Sequence, residues 1–446
     1  MLQTASVRSL DAAPPEVLRW TLDAPHAERA VDLSSGQLRV QGWLLLREAP
    51  SQPLQVLVRQ AGQPPAEVQR FAFNSGRPDV IKRVLGEESA GHAQLRCGFT
   101  FHVPVPQSPL ELGFDLGQGR LYWAVAIELR AGLQVIEGGD GWLFLDNDSN
   151  RSVDQYTGVL LLDPPALRQW RSYLAECRAL ASRQKARHAM VVAPAKEEVL
   201  RHRYPHVRAA TTVLDQVRAV AQPKDHFVDA AAVIAAQPDP EQLFKRTDTH
   251  WTDRGAMLAT LAVLDEMGFG GAVARDCLAA DRYRVEPYAG DLGIKLLPAR
   301  SAPTEFLEGP PAEADAAFDN GLPNIGRVLI FEAPQAPFDA RLLMFGASSG
   351  YAMLKYLKRL FRRVVFVHSA GHVDPMVVAH ERCDALLLQS NGRFLVQPPR
   401  TDFSLRRAAA SKLLEAGVAV RRRADDLVAA GPASAADALY VEMLKA

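Results

Sequence analysis

RLLMFGASSGYAMLKYLKRLF (341–361) reads as three elements in immediate succession. RLLMFG (341–346) is a short apolar run of strand type, GASSG is a turn of small residues, and YAMLKYLKRLF (351–361) carries apolar residues at helical spacing. Strand, tight turn and helix in that order make half of a βαβ unit. Neighbouring segments repeat the theme: a helical pattern over 167–185, strands at HAMVVAP (188–194), RVVFVHS (363–369) and CDALLLQ (383–389), and a helix at AMLATLAVLDEMGF (256–269). Strands alternating with helices predict a parallel sheet covered on both faces, the α/β class.

Before this region the texture is different. QLRVQGWLLL (37–46), LQVLVRQ (54–60), CGFTFHVPV (97–105), LELGFDL (110–116) and LYWAVAIEL (121–129) are short alternating or apolar runs separated by turn residues. They predict an antiparallel β-sandwich over 16–130, with a single helical turn near 80–88 and a flexible segment over 1–15. Trp43 and Trp123 offer faces for sugar stacking, although core or rim packing is the commoner fate of such rings. The α/β domain then runs over 131–446. Its tail from about Phe403 shows two more helical patterns, and the Pro/Ala-rich piece 301–315 reads as a surface loop.

Composition narrows the function classes. The chain has 446 residues, 48% hydrophobic and 23% charged, which fits two or three ordinary folded domains. Lys and Arg (51) balance Asp and Glu (51), leaving no basic excess for a phosphate backbone, so nucleic acid is not an expected partner. Cys97, Cys177, Cys277 and Cys383 are spread along the chain without a CxxC or Cys/His spacing, so neither a disulfide framework nor a metal site is expected, and all four read as buried. No apolar run is long enough to span a bilayer, and the opening residues do not have the pattern of an export signal. The chain as written is therefore expected in the cytoplasm.

In an open parallel sheet, ligands gather where strands end and helices begin. Two such places carry chemistry. At the FGASSG turn, Ser348 is a candidate nucleophile, with the Ser348 and Ser349 amides at the helix N-terminus as oxyanion donors. The competing reading is a serine that merely caps the helix. At RTDTHWTDRGA (246–256), Asp248 and His250 lie two apart ahead of a helix that Thr252 or Asp253 can cap. The imidazole suits a general base and the carboxylate suits its orientation. Gln389 and Arg393, after another strand, are candidates for touching substrate. Asp140 and Trp142 in GGDGWLFL, a turn and strand entering the sheet, are further cleft-lining candidates, and Asp291 is either a turn residue or a site-lining carboxylate. His368 and His372 compete with His250 for the role of base.

Over roughly 135–395 the chain resembles the alginate O-acetyltransferase proteins, the AlgX/AlgJ-like family, whose catalytic domain is of the SGNH hydrolase superfamily. The stretches that carry the resemblance occur in the family's order: GGDGWLFL (138–145), VVAPAKEEVLRHRYP (191–205), TDTHW (247–251), GDLGIKL (290–296), NIGRVLIFE (324–332) and FGASS (345–349). It implies an SGNH-like sheet with Ser348 as nucleophile, His250 as base and Asp248 as its orienter. It further implies O-acetyl transfer to a polysaccharide or oligosaccharide through an acetyl-serine. No bound cofactor is implied. The acetyl group would come from acetyl-CoA or from an acetylated partner, a membrane acyltransferase in an exported setting, and the family's setting makes the periplasm the alternative location. Acetyl esterase and non-catalytic glycan-binding protein are the rival functions. The residue before the serine, often Asp or Thr in this group, is Ala347 here.

Overall fold

The computed structural model describes residues 3–445 apart from 28–29, 34, 63–66, 107, 132–134 and 416–417. The chain divides into two compact units, Met1–Gln134 with Gly293–Arg300, and Val135–Leu292 with Ser301–Ala446. No change of composition marks the return of Gly293–Arg300 to the first unit.

The strand ladders described in the first unit are antiparallel. Six strands form one sheet and three, Val17–Ala24, Gln37–Leu46 and Gly98–Pro104, form another. Inward side chains of both sheets, among them Leu38, Val40, Val56, Leu112 and Phe114, share one core. The strand Gln37–Leu46 is buried at alternate positions first and then continuously. The reason is the helical turn Pro78–Leu85, whose Val80 and Ile81 cover Trp43 and Leu45 on the sheet's other face. Trp43 is buried and Arg59 lies 4.0 Å over the Trp123 ring, so neither indole presents a bare face. The expected flexible segment 1–15 is ordered over Gln3–Ser9. This stretch pairs with Leu121–Ala131 from Gln3↔Ala131 to Ser9↔Val125. Only Ala5 and Val7 in it are apolar, too weak a pattern to announce a strand that the ladder itself holds.

The second unit is mixed α/β. Its sheet is built from β1 (Arg187–Ala193), β2 (Phe227–Asp229), β3 (Phe318–Asp319), β4 (Val328–Glu332), β5 (Phe338–Gly346), β6 (Phe361–His368) and β7 (Ala385–Asn391), in the order β2-β1-β7-β5-β6-β4-β3. The first five positions are parallel, and β4 and β3 extend the edge with antiparallel pairings. Alternation decides the faces. Val191, Leu342, Met344, Val364 and Leu387 pack on one side; Met190, Val192, Leu343, Phe345 and Leu386 pack on the other. On the first side lie helices α1 (Asp253–Glu266) and α2 (Gly350–Leu360), the latter burying Met353, Leu354, Leu357 and Leu360. Each such side chain contributes about 1.5–3 kcal/mol of burial. Helix Pro164–Gln184 and three tail helices, not the two expected, cover the other side.

Three local expectations need correction. GGDGWLFL does not enter the main sheet: Leu143–Leu145 pairs with Val135–Glu137 in a ribbon of its own. Within the expected loop 301–315, Ala302–Leu307 is a strand paired with Tyr283–Tyr288, Pro303 facing Pro287 where the two-stranded ribbon tolerates missing donors. Cys277 is exposed, while Cys97, Cys177 and Cys383 are buried.

Candidate active site

β5 ends at Gly346, and the chain turns through Ala347 and Ser348 into α2. The turn is pinned from β7. Gln389, fully buried, accepts a 2.7 Å hydrogen bond from the Ala347 amide and donates to the Ser390 carbonyl and to Asn391 Oδ1. Gly346 and Gly350 are required there, because a Cβ on either would come within 3.1 Å of the Gln389 oxygen and closer still to Phe366 or Met344. The Ala347 backbone is thus held by a side-chain amide from a neighbouring strand.

The second half of the site is the turn 247–251, ahead of α1, which Thr252 caps by accepting from the Gly255 amide. His250 Nε2 lies 2.9 Å from Ser348 Oγ, and His250 Nδ1 lies 2.7 Å from Asp248 Oδ1. With Nδ1–H donating to the carboxylate, Nε2 presents its lone pair to the serine hydroxyl. One residue further along each segment, Trp251 donates its indole N–H to the Ser349 carbonyl at 3.2 Å, so two adjacent pairs tie the turns together.

Asp248 is 3% exposed. Its oxygens accept from the His250 amide, the Asp291 amide and the Tyr288 hydroxyl as well as from the ring. Burial alone would raise its pKa, but the hydrogen bond and charge of His250, then Lys245 and the Asp291 amide, hold the carboxyl well below the ordinary aspartate range. Gly290 makes this possible: a Cβ there would stand 2.2 Å from that of Asp248. Behind the turn, the buried Lys196 ammonium donates to the carbonyls of Leu143, Lys245 and Arg246. Burial pushes it down to about 8, against the charges of Asp248, Glu197 and Asp291.

Asn391, at the end of β7, was not foreseen. Its Oδ1 receives the Gln389 amide, which aims its Nδ2 at Ser348 Oγ, 3.3 Å away. The Ser348 and Ser349 amides donate to no backbone carbonyl among the described residues, so both precede the bonded turn of α2.

The other candidates fall elsewhere. Gln389 has no exposed surface with which to meet substrate. Arg393 lines a small pocket with His250 and Asn391. Asp140 is exposed and paired with Arg203, and Trp142 is buried between Lys196 and Arg246; neither meets Ser348. Asp291 accepts from the Thr249 amide and hydroxyl and stands 3.8 Å from His250 Nδ1. His368 accepts from the Tyr351 hydroxyl, and His372 from the Arg400 amide. Asp248, His250 and Asp291 bring three ligand-capable atoms within 4.8 Å of one another, but His250 Nδ1 faces Asp248 and the Asp291 oxygens face Thr249, an arrangement of hydrogen bonds already made.

A serine, an imidazole and a buried carboxylate thus stand in series at the C-terminal edge of the mostly parallel sheet. Residues 135–307 match the family model described as SGNH hydrolase-like domain, acetyltransferase AlgX. The matched segment includes Asp248 and His250 and stops before β5 and Ser348. Among solved structures, Bacillus cereus PatB1 is 12% identical over 58% of this chain and 96% of its own, with a TM-score of 0.45. The O-acetyltransferase domain of Pseudomonas putida AlgJ is 20% identical over 62% and 98%, TM-score 0.38. Pseudomonas aeruginosa AlgX is 11% identical over 59% and 63%, TM-score 0.32. No curated protein matches the chain. No helix among the described residues is long and apolar enough to cross a membrane.

Proposed function

We propose that the second unit transfers an acetyl group to a hydroxyl of a polysaccharide or oligosaccharide through an acetyl-Ser348 intermediate. The observation that carries this reading is the hydrogen-bonded series Asp248–His250–Ser348 with Asn391 beside the hydroxyl. Ser348 Oγ attacks the carbonyl carbon of an acetyl ester or thioester while its proton passes to His250 Nε2. The tetrahedral oxyanion is held by Asn391 Nδ2 and the amides of the turn. Collapse breaks the bond to the leaving group, which takes the proton from His250. A sugar hydroxyl then gives its proton to His250 and attacks the acetyl-serine carbonyl; the bond to Ser348 Oγ breaks, Ser348 takes the proton back from His250 Nε2, and the acetylated sugar leaves. Asp248 stabilises the imidazolium in both halves. The acetyl source is acetyl-CoA or an acetylated partner such as a membrane acyltransferase.

Next to Ser348 and His250 an open cleft carries Lys245, Tyr288, Phe306 and Tyr351, a lining suited to a sugar ring and its hydroxyls. An acetyl esterase uses the same steps with water as the acceptor. A binding-only protein has no use for a base 2.9 Å from a serine hydroxyl, which argues against that reading.

The test is hydrolysis of a chromogenic acetyl ester by the parent and Ser348→Ala, with and without an oligosaccharide acceptor. Turnover by the parent, an acetyl adduct on Ser348 and acetylated sugar are the expected results. Equal turnover by the variant overturns the nucleophile; turnover without acetylated sugar selects the esterase.

A further inference from the structure

His250 and Ser349 belong to the walls of two spaces of very different size. The cleft has a cavity volume of about 550 Å³ open to water centres; the other space, a slot, has about 30 Å³. A single water needs roughly 10–15 Å³ on that measure, so the slot has room for a group of two or three heavy atoms and none for a sugar. Its walls include His250 and Asn391, both within hydrogen-bond distance of Ser348 Oγ, with Leu145, Ala193, Pro194 and the Lys196 side chain.

Glu197 and Arg393 belong to its walls as well. These two, with Ser152, Ala195 and Gly392, also line a second cavity of about 30 Å³ that continues between Tyr156, Val213 and Leu214. Glu197 and Arg393 therefore stand as a partition. Glu197 is 6% exposed, and burial pushes its carboxyl up to about 7. The buried Arg393 Nε has no hydrogen-bond partner, its nearest acid, Asp148, lying 3.9 Å away. Packing alone gives no reason to put such a pair between two small cavities.

We propose that the slot is the acyl pocket and that Glu197, backed by Arg393, is its end stop, restricting the donor to an acetyl-sized group. This rests on the acyl-serine reading of Ser348. With the acyl carbonyl against Asn391, a methyl group fits between Ala193 and Leu145, whereas a butyryl chain runs into the Glu197 carboxyl. Shortening that side chain joins the two cavities and admits the longer chain.

The test is kcat/KM for the p-nitrophenyl esters of acetate, propionate and butyrate. The parent is expected to fall at least about tenfold from acetate to butyrate. Glu197→Ala should raise the butyrate-to-acetate ratio about tenfold or more, and Glu197→Gln, of the same size, should leave it at the parent value. Ala195→Val, at a half-buried position on the slot wall, should lower the ratio further and decides the matter should Glu197→Ala not fold. A ratio unchanged in the folded variants overturns the pocket while leaving Ser348-dependent acetate cleavage intact. Absence of Ser348-dependent cleavage of every ester instead overturns the acyl-serine reading, and the slot assignment with it.

Discussion

The two units build their cores by the same alternation of apolar side chains and treat polar side chains in opposite ways. Leaving aside Trp and Tyr, Thr4 is the single buried polar side chain among the described residues of the first unit. The second hides Lys196, Glu197, Asp248, Ser349, Gln389, Ser390 and Asn391, all lying at or just beyond strand ends or in the turn that meets them. A desolvated polar group is costly unless it is bonded, and a sheet can be closed without any, as the first unit demonstrates. Packing the sheet does not call for them at this edge; the acyl transfer proposed above does. Buried charge elsewhere in the second unit serves another purpose: Arg363, at the start of β6, bonds Glu381 and Asp437, while Tyr440 also donates to Glu381, docking the tail.

The sharpest way to break this comparison is Asp248→Asn. The substitution keeps the size of the side chain, but an amide cannot stabilise the imidazolium and turns its own N–H toward the ring, favouring the wrong tautomer. Ester hydrolysis should fall on the order of 10³–10⁴-fold with the circular dichroism spectrum retained. Activity within a few-fold of the parent would show that the buried carboxylate only packs the turn.

Acid should separate the units next. Burial, then the Arg327 charge, push His368 from 6.5 down to about 4. Burial, followed by His226, lowers His188, and burial, followed by Arg400, lowers His372. The unfolded chain takes up these protons near the ordinary histidine value and the folded chain resists them. Stability is therefore complete above about pH 6.5 and lost as the pH falls toward 4, with His368 alone worth on the order of 3 kcal/mol. In the first unit, Arg77 beside Asp79 and Arg70 beside Asp115 hold those carboxyls below the ordinary value, so their contribution is present above it and disappears only at lower pH. Hydrogen exchange at pH 7 and pH 4.5 should show deprotection of β5 and β6 first. Equal loss in both units would remove the buried histidines as the cause.

How much of this the sequence shows follows from the range of each signal. Ser348 announces itself through a strand, a turn of small residues and a helix within twenty residues, and Asp248 and His250 through their spacing ahead of α1. Asn391 gives no such sign, because its position depends on the register Ala193↔Asn391 between strands distant in the chain. Gln389 lies two residues before the end of β7, and its inward orientation, set by the alternation of that strand and by Gly346 and Gly350 opposite, leaves it no surface for a substrate. Lys196 is visible as a residue, but its partners come from the ribbon at Leu143 and the turn at 245–246, both assembled by tertiary packing. Gly290 is legible as a turn glycine; that it clears room for Asp248 is not.

The smallest effect tests the other side of the comparison. Arg59 pairs with Glu111 at 2.7 Å, lies over the Trp123 ring at 4.0 Å and keeps about a quarter of its side chain in solvent. Water competes for both charges, and holding a long side chain in place costs entropy, so the ion pair contributes about 0–1 kcal/mol and the ring contact about 0.5–1 kcal/mol. Arg59→Ala should therefore lower stability by about 1 kcal/mol in a denaturant titration, while exposing one face of Trp123 and leaving ester hydrolysis at the parent rate. A loss of several kcal/mol would mean that Arg59 behaves like the desolvated groups around Ser348, and the first unit would then no longer stand as an example of a sheet pair closed by apolar packing alone.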